Sequence, residues 1–186
     1  MTAFRTLFAL LALTSLIQAD QTLTIKKATY GDHKEKQTVD VTSKVSAQVK
    51  EGKVRLVVWN DLFGEPAEGV RKSLQLEYEL DGKPGKLEVY EGDTLLIPQP
   101  KLEGKLAIVS AHYGIIPDYT YDVTTDVKRY LEDNKLSVEV SNDLFGDPAS
   151  GEFKWLKVVY RIGDVELIKQ AWEGQTLNIN TDEKQE

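Results

Sequence analysis

The chain has 186 residues, 41% hydrophobic and 28% charged, with no cysteine and a formal net charge of −7. Without cysteine, disulfides, thiol catalysis and thiolate metal sites are excluded. An acidic chain lacking a basic stripe has nothing to neutralise phosphates, which argues against a nucleic-acid partner.

In chain order, Met1 to Arg5 carry an early positive charge, Thr6 to Ile17 are nearly all apolar, and Gln18-Ala19 precede Asp20. That order reads as a secretory signal peptide over 1–19 and predicts an exported protein, periplasmic or extracellular. The apolar run is short of the ~20 residues that span a bilayer. A mature protein without a transmembrane segment is therefore expected.

The remainder repeats itself at an offset of 82. Asn60-Asp61-Leu62-Phe63-Gly64 returns as Asn142-Asp143-Leu144-Phe145-Gly146, and Asp40-Val41-Thr42 as Asp122-Val123-Thr124. Pro66, Ala67, Gly69, Lys72, Leu74 and Tyr78 match Pro148, Ala149, Gly151, Lys154, Leu156 and Tyr160. Such ordered self-similarity marks tandem structural units. The modules run over 20–99 and 104–180, with a polar tail over 181–186. Positions alike in both copies are expected to serve folding, and positions that differ are free to specialise.

Each copy reads as strands with one short helix. Leu136, Val138 and Val140 alternate with polar residues, as do Val54, Leu56 and Val58, the period-two pattern of a half-buried strand. Leu156, Val158 and Tyr160 repeat it, with Leu74, Leu76 and Tyr78 as counterparts. Val127, Tyr130 and Leu131, spaced i, i+3 and i+4, predict a helical turn with Thr124 or Thr125 as N-cap. Asp40 and Asp122 are expected to bond backbone groups ahead of that turn. The fold class predicted is mostly β: two small β-sandwiches or partly open barrels, each with one helix.

Candidate chemistry is sparse. Asp61 with Glu65, and Asp143 with Asp147, offer oxygen ligands for calcium, but not at the one-three-five spacing of an EF-hand loop. Turn chemistry accounts for these residues, with the Phe plugging the end of a sandwich, so no cofactor is expected. Hydrolase and nucleotide-binding motifs are missing. The copies differ more informatively elsewhere: Val57 and Trp59 align with Glu139 and Ser141, while Trp155 and Val159 align with Ser73 and Glu77. Each copy thus carries a Trp and a Val on an otherwise polar face. Such faces suit burial against the other module or a protein partner, and an exposed indole also suits a glycan. Trp172, aligned with Tyr90, is expected in a core.

Ala28-x-Tyr30-Gly31, Asp40-Val41-Thr42 and Asp147-Pro148-x-x-Gly151-x-x-Lys154-x-Leu156 together resemble the C-terminal domain of DnaJ-like subfamily C member 11 proteins, here in two copies. The resemblance spans most of each copy. It implies a non-catalytic accessory domain, and with no His-Pro-Asp tripeptide in the chain it carries no cochaperone activity. The resulting expectation is a non-enzymatic protein-interaction or envelope scaffold. A carbohydrate-binding module is the alternative, and a carboxylate-based hydrolase stands behind both.

Overall fold

A computed structural model describes residues 21–181; the signal-peptide expectation for 1–19, and all of the tail beyond Thr181, lie outside them. In the first copy β1 (Leu23–Asp32), β2 (Gln37–Asp40), β4 (Ser73–Leu80) and β5 (Lys83–Tyr90) form an antiparallel sheet in the order β2-β1-β4-β5. A two-stranded sheet of β3 (Val54–Val57) and β6 (Thr94–Ile97) accompanies it. The second copy repeats this plan. Its large sheet has the order β12-β11-β7-β8, from β7 (Leu106–Ile115), β8 (Tyr119–Asp122), β11 (Trp155–Ile162) and β12 (Val165–Trp172). Its small sheet joins β13 (Thr176–Asn180), β10 (Lys135–Glu139) and β9 (Leu131–Glu132). The sheets stay open rather than closing into barrels.

The alternation read from the sequence is the alternation of burial. Leu136 and Val138 are 1% exposed and Val140 fully buried, while Lys135, Ser137 and Glu139 face solvent. Two separate apolar clusters result, one drawn from Leu23 to Ile97 and the other from Leu106 to Ile179. All the strand pairings among the described residues lie within one copy or the other.

Helices α1 (Thr42–Ser46) and α3 (Thr124–Lys128) are shorter than the i, i+3, i+4 spacing predicts. Only Val45 and Val127 are buried in them; Tyr130 is exposed and Leu131 already belongs to β9. Thr124 is not the N-cap, because its hydroxyl is engaged elsewhere: Ala111 N–H donates to Thr124 Oγ1 at 2.8 Å. Thr42 does the same for Ala28 at 2.9 Å. The Asp of each Asp-Val-Thr motif instead accepts the Thr N–H, at 2.8 Å for Asp40 and 2.9 Å for Asp122. The Val between them fills the core, with Val41 1% and Val123 2% exposed.

Each copy has a second helix where the sequence predicts a turn. Asn60–Phe63 (α2) and Asn142–Phe145 (α4) close single helical turns. Gly64 and Gly146, at φ 92° and 80°, end them in a conformation that L side chains resist. Gly31 and Gly114 are required for a different reason. A Cβ there would lie 2.1 Å from Gln37 O or 2.0 Å from Tyr119 O, inside the neighbouring strand.

Hydrogen bonds from Thr42 and Thr124 hold the Asp40 and Asp122 carboxyls below the ordinary 3.8. A lowered folded value means that these groups stabilise the fold above pH 3.8 and lose that contribution as pH falls through the lowered value. Acid titration followed by circular dichroism should show Asp40→Asn/Asp122→Asn less stable than the parent at neutral pH, with the gap closing as pH falls below 3.8.

Candidate functional site

The conspicuous loops fold around a buried lysine. In the first copy the fully buried Tyr30 donates its hydroxyl to Asn60 Oδ1 at 2.7 Å, and its ring packs 5.1 Å from Phe63. Asn60 Nδ2 in turn donates to Glu65. Lys72, 2% exposed, lies 2.7 Å from Glu65 and 3.1 Å from Glu91, and donates to the carbonyls of Ala67 and Val70. In the second copy Tyr113 donates to Asn142 at 2.9 Å with Phe145 at 5.2 Å. Lys154 there meets Asp147 and Glu173, both at 3.2 Å, and the Glu152 carbonyl at 2.8 Å.

Burial, reinforced by the neighbouring carboxylates, pushes both tyrosines well above the ordinary phenol range. Burial works against the Lys154 charge, but the hydrogen bonds it donates to Glu173 and Asp147 outweigh it and hold the ammonium above 10.5. Of the four carboxylates considered for calcium, Glu65 and Asp147 are therefore held by lysine, while Asp61 and Asp143 stand exposed on helical turns. Among the described residues, no three His, Asp or Glu side chains converge as a metal site.

The swapped aromatic faces meet. Trp59 and Trp155, from opposite modules, pack edge-on with ring centroids 5.5 Å apart. Trp172 is not a core residue: half-buried, it packs edge-on against Trp155 at 4.7 Å and is flanked by Phe153 at 6.1 Å. Its indole shares the junction because it lies directly opposite Trp155 in the β11–β12 ladder. Val57 and Val159 are half-buried on strands flanking the same junction, paired in register with Thr94 and Ile168.

Beside this cluster, side chains of the first module complete the backbone of a strand in the second. β12 is an edge strand, and its outward groups are met one after another. Ile168 N–H donates to Thr94 Oγ1 at 2.9 Å and Gln170 N–H to Asp93 Oδ1 at 3.0 Å. Arg71 Nη2 donates to Gln170 O at 2.8 Å, and Arg55 Nη2 to Glu166 O at 2.6 Å. Arg71 also lies 3.3 Å from Asp93 and stands over the Tyr90 ring at 4.9 Å. Burial raises the Asp93 carboxyl above 3.8, against the pull of Arg71, Lys169 and the Gln170 N–H.

The clasp belongs to one copy alone. At the offset of 82, Arg55, Trp59, Arg71 and Asp93 become Ser137, Ser141, Phe153 and Gln175. The edge equivalent to β12 is β5, where Pro84, Lys86 and Glu88 replace Glu166, Ile168 and Gln170. Proline offers no N–H and lysine resists strand addition, two ways of blunting a sheet edge. Sequence reasoning missed Arg55, Arg71, Asp93 and Thr94. The signal for three of them was present in the same copy comparison that found the tryptophans.

Over 171 residues the chain is 25% identical to a protein of Formosa agariphila named "Putative beta-glucuronidase", covering 86% of this chain but 14% of that protein. The chain therefore spans about one-seventh of that relative's length. No family model matches the sequence, and no solved structure matches the fold.

Two substitutions separate the roles of these groups. Lys72→Met strands the buried Glu91, so chemical denaturation should show a loss of about 3–5 kcal/mol, partly restored in Lys72→Met/Glu91→Gln. Trp59→Ala should destabilise by about 2 kcal/mol, less than a full core truncation because the ring is half-exposed. It should also expose the linker around Gln99 to proteolysis while each module keeps its own unfolding transition.

Proposed function

We propose that this chain is a non-enzymatic, exported interaction or scaffold protein, in which two DnaJ-C-terminal-like β-modules act as one rigid unit. The observation that carries this reading is the clasp at β12 together with the Trp59–Trp155 contact. Both tryptophans are committed to the junction, so the faces that differ between copies join the modules instead of offering two indole platforms. The buried ionisable groups Lys72, Glu91 and Lys154 are committed to one another or to loop carboxylates, which supports a structural role for them. Exposed apolar surface remains at Tyr119 and Tyr121 of β8, 66% and 50% exposed, where the first copy has Gln37 and Val39. This is the surface assigned here to a protein partner, since exposed apolar patches mark contact sites.

A second reading, a carbohydrate-associated accessory module, is favoured by the similarity to the Formosa agariphila protein. That protein's named activity is not carried over, because the match covers 14% of it.

Cross-linking in the native envelope distinguishes these readings. A defined protein adduct that disappears in Tyr119→Ser/Tyr121→Ser is the expected result. Turnover of a polysaccharide panel by the purified chain would overturn the non-enzymatic reading.

A further inference from the structure

Where the modules meet, β5, β6, the linker and β12 enclose a cleft of about 300 Å³. That is the lower end of the ~300–1,000 Å³ found for small-molecule sites, which favour domain junctions. Leu87, Val89, Leu102 and Leu167 give it apolar walls. Its polar groups include Tyr160, Asp93, Lys169 and Glu88.

Tyr160 points to a ligand. The residue is 7% exposed and its hydroxyl makes no hydrogen bond among the described residues, yet that oxygen is not among the buried atoms that lack a partner. The hydroxyl is therefore not wholly buried, and Tyr160 lines the cleft. Asp93 makes both of its clasp bonds through Oδ1 and lines the same cleft. In the first copy the equivalent Tyr78 is half-buried and its ring stands over Gly85, with the nearest ring atom 2.3 Å from where a Cβ on that glycine would lie. Of this repeated pair of tyrosines, only Tyr160 lines the cleft.

Charge narrows the ligand class. The cleft carries two carboxylates, Asp93 and Glu88, against the one ammonium of Lys169, which disfavours an anion. A neutral molecule that both donates and accepts hydrogen bonds satisfies the phenol, carboxylate and ammonium together. Its C–H faces would lie against the leucines. We propose that the cleft between the modules binds a single neutral pyranose-type sugar unit, with Tyr160, Asp93 and Lys169 reading its hydroxyls. The site stands on the cleft alone and does not depend on whether Tyr119 and Tyr121 contact a protein.

Saturation-transfer NMR on the full chain with glucose, galactose, mannose and xylose, and with glucuronate as the charged comparison, tests this. At least one neutral sugar should bind, with an affinity on the order of millimolar as befits so small a ligand. Tyr160→Phe keeps the ring and should weaken binding about tenfold, and Lys169→Ala should weaken it as well. Asp61→Ala, on an exposed helical turn that does not line the cleft, should leave binding unchanged. No binding by any of the four neutral sugars, binding of glucuronate alone, or equal affinity in Tyr160→Phe would each overturn the proposal.

Discussion

The backbone of an edge strand must be met by something, and the way β12 is met organises this molecule. A bare row of N–H and C=O groups invites pairing with another chain. Here Arg55, Arg71, Asp93 and Thr94 supply side-chain donors and acceptors where a neighbouring strand would have supplied backbone. Side chains can do this only at a set position and angle, so the clasp fixes one module against the other. The tryptophans then pack around the fixed geometry. The contact is not fully satisfied: Arg71 Nε, Gln170 Oε1 and Trp172 Nε1 are buried without partners. Each such group costs about 1–3 kcal/mol, which the aromatic packing and the clasp bonds must offset.

Inside each module a different constraint operates. Lys72 and Lys154 are 2% exposed, and a buried ammonium is tolerated only with close carboxylates and carbonyls around it. Glu91 and Glu173, which follow the closing hairpin strand, and Glu65 and Asp147, in the loop, are drawn to it from different parts of the chain. The network ties loop to strand and seats the Phe ring against the buried Tyr. A buried ion pair of this kind adds little net stability but disfavours other arrangements of the loop. It gives the repeated Asn-Asp-Leu-Phe-Gly loops a shared structural role.

The cleft is a consequence of the clasp. Neither module alone encloses it, because its walls come from β5 and β6 on one side and from β12 on the other. The two copies differ in a complementary way. The first carries the clasp and has Pro84 and Lys86 on its own β5 edge, while the second presents β12 to be grasped.

Much of this was legible in the residues. Strand alternation, the tandem repeat, the Asp-Val-Thr turn and the unusual tryptophans all follow from period, spacing and turn chemistry, which act locally. The helix α3 is shorter than its pattern predicts because Tyr130 and Leu131 mimic a helical stripe while belonging to the next turn and strand. The sequence by itself determined two β-rich modules and the faces that set them apart. The tertiary structure alone decided that Trp59 meets Trp155, that Lys72 and Lys154 are buried, and that β12 is held by residues 74 to 111 positions away. Those outcomes depend on which surfaces approach once both modules are folded, and a charge or an indole carries no mark of its future partner.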